Sequence, residues 1–386
     1  MTNPIIETRN LTFEYSNRCV ALDDVSLTIP MGKKTVILGS NGSGKSTLFL
    51  HFNGILRPRS GEVHFDGKAI SYASKALTEL RKKIALVLQN PDDQIFSTTV
   101  EEDVAFGPMN LSLPRGEVER RVEDALRLVG LEEMRERPTQ QLSFGERKRV
   151  ALAGALSMDP KVLIMDEPTA GLDSRMVREL MELADELNQK GMTVIMSTHD
   201  VETAYSWGDE IRVLHQGRLA FSGAPEDFFE DGVKVHDIGL VPPMLFEMNQ
   251  YLVRMKGKEE KPFPRTTAEL VQKVFRGDTR TIGSGTIATI GIDPDHKEVP
   301  MVTQGYEDEG RTVGACGTKA KRFVEEKGTR TDYRFNAFEN SVLGASEGRD
   351  FLLYIDLQLV PLLEAKFERL ERDFGLKIPR RYVEVK

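Results

Sequence analysis

The segment Gly39-Ser-Asn-Gly-Ser-Gly-Lys-Ser46 restricts the possible folds of this chain more than any other feature. It follows the short apolar run Thr35–Leu38 and precedes residues with helical character. The spacing Gly-x4-Gly-Lys-Ser matches a phosphate-binding loop, in which glycines let the backbone N–H groups curl inward. The helix that follows adds partial positive charge at its N-terminus. The sequence therefore predicts a strand, loop and helix that bind phosphate, and a chance glycine turn is the less favoured alternative.

Each loop position has an expected role. Lys45 should reach the β- and γ-phosphates of a nucleotide, and the Ser46 hydroxyl should bind Mg²⁺. The predicted nucleotide-binding residues of the loop are Gly39, Ser40, Asn41, Gly42, Ser43, Gly44, Lys45, Ser46 and Thr47.

Two carboxylates, Asp166 and Glu167, end a second apolar run, Val162–Met165. Because successive strand residues point to opposite sides, the two acids can divide the work. Asp166 is expected to hold Mg²⁺ and Glu167 to polarise an attacking water, a contribution of roughly 10²–10⁴ in rate. The alternative is an ordinary solvated strand end, which the phosphate loop upstream makes less favoured.

Composition excludes several classes of protein. A net charge of −8 argues against non-specific nucleic-acid binding as the main role. The two cysteines, Cys19 and Cys316, lie far apart and suggest a reducing setting without a disulfide framework. The best apolar run, Phe351–Leu363, is interrupted and too short to span a bilayer, and the first residues do not read as a secretory signal. Other chains would have to supply any membrane function.

Alternation of strands and helices predicts an α/β fold. Short apolar runs at residues 84–88, 162–165, 194–197 and 211–214 read as buried parallel strands. Helical stretches near 115–129, 145–157 and 174–190 separate them. Residues 1–31 alternate apolar and polar side chains around a turn at 16–18, which predicts antiparallel strands. We expect a mostly parallel sheet covered by helices on both sides.

Taken together, the motifs resemble those of ATP-binding subunits of ABC transporters. That family carries, in order, a phosphate loop, a glutamine loop, an LSGGQ-type motif, an Asp-Glu strand end, a loop with Asp, and a histidine. The counterparts here are Gly39–Ser46, Gln89, Leu142–Glu146, Asp166-Glu167, Asp173 and His199. Tyr15 matches the aromatic residue that stacks on adenine, and the resemblance covers about residues 4–230.

The resemblance implies a P-loop ABC-type ATPase domain that binds ATP and Mg²⁺ and works as a dimer around two nucleotides. The implied catalytic residues are Glu167, His199 and Gln89, the implied Mg²⁺ ligands are Ser46, Gln89 and Asp166, and the implied contacts to the second subunit's nucleotide are Ser143, Gly145 and Asp173. The chain departs from the family at Phe144 and Glu146, where glycine and glutamine are commonest. The resemblance therefore leaves undecided which contacts the side chain of residue 146 makes.

The domain organisation is predicted from the resemblance for residues 1–235 and from the residues themselves for the rest of the chain. Residues 1–235 would form the ABC ATPase domain, with an antiparallel N-terminal β subdomain and a helical subdomain at about 90–158. Residues 236–276 read as a helical extension with an exposed, charged linker at 256–264. Residues 277–386 predict a smaller C-terminal α/β domain of regulatory or dimerisation role, with strands at 286–292 and 312–316, an acidic loop at 306–310 and helices at 318–327 and 359–374. A metal site from Asp293, Asp295, His296 and Cys316 is a less favoured alternative.

The stretch from Gln89 to Gln94, continuing through residues 99–108, resembles the ATPases of energy-coupling factor importers, especially the cobalt and nickel branch. There, an acidic helix after the glutamine loop helps form a groove for an integral membrane coupling subunit. Five acids here would either pair with basic side chains of that subunit or form a solvated acidic face: Asp92, Asp93, Glu101, Glu102 and Asp103.

That resemblance implies a peripheral protein on the cytoplasmic face of the membrane. Its partners would be a second ABC ATPase subunit, identical or different, an integral membrane coupling subunit and a substrate-binding membrane subunit, with no nucleic acid. We favour cobalt or nickel import. Vitamin import by the same motor, a soluble non-transport ABC ATPase and an ATP-gated sensor are the alternatives.

Overall fold

The computed structural model describes residues 4–16, 18–111, 113–257, 259–275, 285–293 and 311–383. The chain divides into two compact units. The first consists of Met1–Met176 and Gly191–Pro243, and the second of Val177–Lys190 and Met244–Lys386. The predicted division at 235 and 276 follows the chain in order and does not anticipate that residues 177–190 group with the C-terminal part. That three-part division stays a prediction.

Among the described residues of the first unit, ten strands build two sheets. In chain order they are β1 (Pro4–Glu14), β2 (Val20–Pro30), β3 (Lys34–Leu38), β4 (Ser60–Phe65), β5 (Lys68–Ala69), β6 (Ile84–Val87), β7 (Val162–Met165), β8 (Thr193–Thr198), β9 (Glu210–His215) and β10 (Arg218–Gly223). The central sheet has the order β10-β9-β3-β8-β7-β6 and is parallel except for β10. The second sheet, β2-β1-β4-β5, is antiparallel. Both predictions of sheet type are confirmed.

Helices surround these sheets. They are α1 (Lys45–Phe52), α2 (Ser74–Lys83), α3 (Val100–Asn110), α4 (Arg115–Val129), α5 (Phe144–Leu156), α6 (Ser174–Gln189), α7 (Val201–Trp207), α8 (Pro225–Phe229) and α9 (Gly232–Asp237). Helices α3, α4 and α5 pack on one another. On α4, a buried apolar stripe runs through Val118, Val122 and Val129 because these positions share one helix face. Helix α6 starts in the first unit, and its residues from Val177 belong to the second.

The second unit is a smaller α/β structure. Its elements are α10 (Met244–Lys256), α11 (Thr267–Phe275), β11 (Ile287–Ile292), β12 (Thr312–Cys316), α12 (Thr318–Glu326), α13 (Ala337–Ser346), β13 (Phe351–Asp356), α14 (Val360–Phe374) and β14 (Arg380–Val383). The sheet order is β12-β13-β11-β14, and all pairs are parallel. Val324 of α12 packs on one face of the sheet, while Phe338 and Phe367 pack on the other.

The sequence predicted β11, β12, α12 and α14 closely but missed β13, α13 and β14. Residues 256–264 are only partly an exposed linker, because Phe263 is buried and stacks on Phe246 with ring centroids 5.3 Å apart. The acidic loop at 306–310 and the residues Asp295 and His296 lie outside the described residues. Within the described ranges, no group of His, Cys, Asp and Glu could hold a metal ion. None of the described helices is both long and apolar enough to cross a membrane.

A buried carboxylate, Asp356, stands at the end of β13. It is fully buried and accepts hydrogen bonds from the backbone N–H groups of Lys319 (3.2 Å) and Ala320 (2.5 Å), in the first turn of α12. Burial, together with the nearby charge of Glu186, raises the pKa of Asp356 to about 6. The two N–H groups at the start of α12 favour the ionised carboxylate, whereas its burial opposes ionisation. The same two hydrogen bonds attach the start of α12 to the end of β13.

We predict that Asp356→Asn removes a pH dependence from the second unit. A carboxyl whose pKa is higher in the folded chain than in the unfolded chain contributes its full stabilisation below the unfolded value of 3.8 and loses it as pH rises through about 6. Relative to the variant, the wild type should lose up to roughly 3 kcal/mol of unfolding free energy between about pH 4 and about pH 7. Urea unfolding at each pH, read by pulsed hydrogen exchange across β13, measures the difference.

The matched control is Glu368→Gln, which changes an exposed acid on α14 and should keep the wild-type pH dependence. If the unfolding free energies of wild type and Asp356→Asn change in parallel with pH, the ionisation of Asp356 does not destabilise the fold and the prediction is wrong.

Candidate functional site

The loop between β3 and α1 requires glycine at two positions. A Cβ on Gly39 would lie 2.4 Å from the carbonyl oxygen of Leu214, and one on Gly44 would lie 2.6 Å from that of Ala21. Gly44 also has φ +104°, which L side chains rarely adopt. Ser43 is buried, and its hydroxyl has no hydrogen-bond partner among the described residues. The loop therefore holds a polar atom ready for a partner.

Three side chains converge at the carboxyl end of the central sheet. The Lys45 ammonium lies 3.2 Å from Oε1 of Glu167 and donates to the carbonyl of Gly39 at 2.8 Å. The other carboxylate oxygen, Oε2, lies 3.1 Å from Nδ1 of His199. Lys45 and Glu167 are buried, whereas His199 is more than half exposed. The carboxylate of Glu167 is thus held between a buried cation and an exposed imidazole.

Ser197 on β8, which sequence reasoning missed, joins the two acids. Its hydroxyl donates to Oδ1 of Asp166 at 2.5 Å and accepts the backbone N–H of Glu167 at 2.9 Å. Strands β7 and β8 are parallel neighbours, so their carboxyl ends meet at the same edge of the sheet. A serine directly after the apolar residues 194–196 was the available signal. Ser197 thus holds the side chain of Asp166 and the backbone of Glu167, whose carboxylate is held separately by Lys45 and His199.

The predicted anion-binding turn at Ser143 is a complete capping box. The Ser143 hydroxyl accepts the N–H of Glu146 at 3.3 Å, and the Glu146 carboxylate accepts the N–H of Ser143 at 2.6 Å. The hydrogen bond from the Ser143 N–H lowers the pKa of Glu146. Helix α5 therefore begins with its own carboxylate, where the family commonly has a neutral glutamine.

Gly145 and Asp173 meet at Met176. A Cβ on Gly145 would lie 1.9 Å from Cε of Met176, so this glycine lets the methionine approach α5. The exposed Asp173 accepts the N–H of Met176 at 2.8 Å and starts α6. Gly145 and Asp173 therefore share one neighbour, and with Ser143 they lie at the starts of α5 and α6. The cluster around Glu167 is built instead from the phosphate loop and the ends of β7 and β8.

Sequence reasoning also missed a buried cation, Lys148, which lies on α5. Its ammonium donates to the carbonyls of Glu167, Pro168 and Ala170 at 3.3, 3.0 and 2.7 Å. Burial lowers the pKa of Lys148 to about 8. No sequence motif indicates this role, because the partners of Lys148 are backbone atoms of a loop that is distant in the sequence.

Several of the other predicted residues are exposed to solvent. Tyr15 is 39% exposed, and its hydroxyl is 3.1 Å from Oγ1 of Thr47, which places the ring above the start of α1. Gln89 is exposed and follows β6. The other predicted loop residues that are exposed are Ser40, Asn41, Gly42 and Ser46.

The segment after Gln89 is tied to α5. The side chain of Gln94 accepts the N–H of Leu88 at 3.0 Å and donates to the carbonyl of Ala151 at 3.5 Å. Asp92 forms an ion pair with Arg147 at 2.8 Å. A movement of this segment would therefore act on the helix that begins with the capping box.

Four of the five acids of this region make contacts within the chain, and three of the five, Asp92, Asp93 and Glu102, are exposed. Besides Asp92, Glu101 pairs with Arg135 at 2.5 Å, and Glu102 accepts the N–H of Thr99 in a second capping box. Asp103 is buried and accepts the N–H groups of residues 96 and 97 at 3.0 Å each. Two of these acids thus pair with arginines, and the other two accept backbone N–H groups just before α3.

The same surface also carries an apolar patch. Phe96 is 64% exposed, Phe106 48% and Met109 64%, and the two phenylalanine rings meet edge to face with centroids 4.5 Å apart. A shallow groove beside them is lined by Ser97, Thr98, Glu102, Phe106, Met109 and Asn110. We call Phe96, Phe106 and Met109 the α3 patch.

Known proteins resemble this chain in sequence and in structure. Residues 22–170 match the ABC transporter family. An energy-coupling factor transporter ATP-binding protein of Methanospirillum hungatei is 40% identical over 358 residues, which cover 91% of this chain and 89% of that protein. The solved structure of cbiO1 from Clostridium perfringens, described as part of the ABC transporter complex cbiONQ, has a TM-score of 0.56 at 41% identity and covers 66% of this chain and 96% of that one.

A dimeric structure of the ATP-binding cassette MJ0796 bound to ADP and Pi is similar as well. It has a TM-score of 0.53 at 30% identity, over 57% of this chain and 98% of that one. The phosphate loop, the Asp-Glu strand end and the histidine stand in this chain at one edge of a mostly parallel sheet. The chain belongs to the ABC transporter family, among the energy-coupling factor transporter ATP-binding proteins, and is an ABC-type ATPase.

Proposed function

We propose that this ATPase is the motor subunit of an energy-coupling factor importer, in which ATP-driven closure of two ATPase subunits moves a membrane partner. The observation that carries the proposal is the Glu167 carboxylate, held between Lys45 and His199 beside the phosphate loop. A carboxylate fixed by two such neighbours is placed to act on a water at the end of a bound triphosphate.

The residues present suit ATP and Mg²⁺. The hydroxyl of Ser43, which has no partner among the described residues, and the glycine-lined loop offer donors to phosphate oxygens. The ammonium of Lys45 would exchange its bonds to the carbonyls of Gly39 and Ser40 for bonds to those oxygens. Mg²⁺ prefers oxygen ligands, and the Ser46 hydroxyl, the Asp166 carboxylate and the Gln89 side chain would supply them. When bound, Mg²⁺ would neutralise charge on the phosphates.

In the proposed mechanism Glu167 is the general base. Its carboxylate takes the proton of the attacking water, while His199 keeps the second oxygen oriented and, from its exposed position, also reaches the terminal phosphate. Lys45 and the loop N–H groups stabilise the negative charge that develops on the transferred group. Tyr15 would stack on the adenine ring.

We further propose that the site is completed by a second ATPase subunit, identical or different. Ser143 and Asp173 are exposed at the starts of α5 and α6, apart from the Lys45–Glu167 cluster, as a contact to another subunit's nucleotide requires. The similar cassette MJ0796 is dimeric in its ADP- and Pi-bound structure. With Gly145 these residues would close over the partner's triphosphate, with Glu146 held back in its capping box.

The proposed membrane contact is the α3 patch, on the cytoplasmic face of the membrane. Exposed aromatic and Met side chains beside a groove suit helices of an integral membrane coupling subunit, and Asp92 and Gln94 connect this region to α5. We propose cobalt or nickel as the cargo, which a separate membrane subunit would recognise, and vitamin import is the alternative. A regulatory or dimerisation role for the C-terminal residues remains part of the proposal.

Glu167→Gln should lower the ATPase kcat by about 10²- to 10⁴-fold while ATP binding persists, because the amide keeps the shape but cannot accept a proton. Steady-state phosphate release and equilibrium binding of labelled ATP measure the two quantities. Glu133→Gln, an exposed acid on the same unit, is the matched control and should behave like wild type. Near-normal turnover in Glu167→Gln would reject this residue as the base.

Phe106→Asp should abolish co-purification with a polytopic membrane protein from detergent-solubilised membranes of the source cells, because a charge in the α3 patch would need desolvation on docking. Its thermal midpoint should stay near that of wild type, since Phe106 is half exposed. Mass spectrometry of tagged wild type and variant identifies the captured protein. Val233→Asp places the same charge on another exposed apolar residue, 73% exposed on α9, and should retain the partner. Equal capture by both variants would place the membrane contact elsewhere.

A further inference from the structure

The ammonium of the buried Lys148 is fully hydrogen-bonded, and all of its acceptors lie in one short segment of backbone. Lys148 is 8% exposed, and its three ammonium protons have three backbone acceptors, the carbonyls of Glu167, Pro168 and Ala170. Burying an ammonium is costly unless it is fully hydrogen-bonded, and here the bonds all go to the turn that follows β7. We call residues 167–170 the acid turn.

The acid turn is strained where Lys148 holds it. Glu167 has φ +44°, a left-handed conformation that costs a non-glycine residue roughly 1–2 kcal/mol. Its N–H donates to Ser197, and its carbonyl accepts from Lys148. The N–H of Glu167 is therefore fixed from outside the turn, and its carbonyl accepts from Lys148 as well as from the N–H of Ala170 at 3.2 Å within the turn. Such strain persists only where the surroundings over-determine it, and it is typical of functional sites.

Phe144 covers this arrangement from the same helix. It stands four residues before Lys148 on α5, and the ammonium lies 5.4 Å from the ring centroid. A Cβ on Gly171 would lie 2.8 Å from Cε1 of Phe144, so the ring also packs on the residue directly after the acid turn. The ring shields the ammonium–carbonyl bonds from water, which strengthens them.

We propose that Lys148, covered by Phe144, is a positioning residue for hydrolysis: it holds the acid turn so that the Glu167 carboxylate faces the phosphate loop. Both residues lie on α5, the helix that starts with Ser143 and Gly145. A shift of α5 when those residues engage a second subunit's nucleotide therefore displaces the support of this subunit's own Glu167. The inference rests on the proposed role of Glu167 as base.

The test compares Lys148→Met, which keeps length but has no donor, with Lys148→Arg, which keeps donors. In the purified full chain, Lys148→Met should lower kcat by about 10- to 100-fold, because small misplacement of a catalytic group has effects of this size. The KM for ATP should change by less than about 3-fold, since Lys148 touches no predicted nucleotide contact. Lys148→Arg should recover most of the loss.

A double-mutant cycle separates positioning from general damage. In a Glu167→Gln background, Lys148→Met should change the residual rate by less than about 3-fold, because the group that it positions is already disabled. An equal fold-loss in both backgrounds, or wild-type kcat in Lys148→Met, would overturn the inference. Near-normal turnover in Glu167→Gln alone would instead reject the proposed base.

Phe144→Ala keeps the test decisive if Lys148→Met does not fold, as judged by circular dichroism. Removing the ring should reduce kcat by about 3- to 10-fold through weaker ammonium–carbonyl bonds, with the loss again absent in the Glu167→Gln background. Unchanged kcat in Phe144→Ala, or a loss that persists in that background, would count against the proposal.

Discussion

The buried ion pair between Lys45 and Glu167 is the interaction on which the rest of the site depends. The two residues are more than a hundred positions apart, and both side chains are buried. A buried charge that loses its partner is strongly destabilising, so the phosphate loop and the end of β7 constrain each other's position. The parallel order β3-β8-β7 brings them to one edge, and Ser197 on the middle strand orients the acids between them.

Helix α5 connects this pair to the segment that follows the glutamine loop, and the helix begins with the turn proposed to contact a second subunit. Its start carries the Ser143 capping box, Arg147 pairs with Asp92 beyond the glutamine loop, and Lys148 holds the acid turn. These contacts use charge in place of apolar packing, so each is directional and depends on a defined distance. A rigid helix with such contacts can relay a displacement at any one of them to the others, which is what a motor coupled to a partner requires.

The motifs allowed most of the first unit to be predicted, because phosphate binding demands particular residues at particular spacings. The phosphate loop was predicted from its spacing, the Asp-Glu pair from its place at the end of an apolar run, and His199 from the resemblance to the family. Ser197 and Lys148 could not, since their roles come from backbone atoms that only the folded sheet brings near. β13 was missed because its apolar residues were read as part of one longer run, Phe351–Leu363, which continues into α14. A fully buried strand has no period that separates it from a buried helix start.

The acids before and within α3 show why charge in a sequence is a poor guide to a surface. Asp103 is buried and accepts two backbone N–H groups, and Glu101 forms an ion pair with Arg135. These two carboxylates are therefore already engaged within the chain. Phe96, Phe106 and Met109 are exposed on the same surface, beside the exposed acids Asp92, Asp93 and Glu102. Exposed ion pairs contribute only about 0–1 kcal/mol each, whereas burying an aromatic side chain contributes roughly 1.5–3 kcal/mol. Binding at the α3 patch would therefore depend on apolar contact and shape, with the internal acids fixing the loop that presents it.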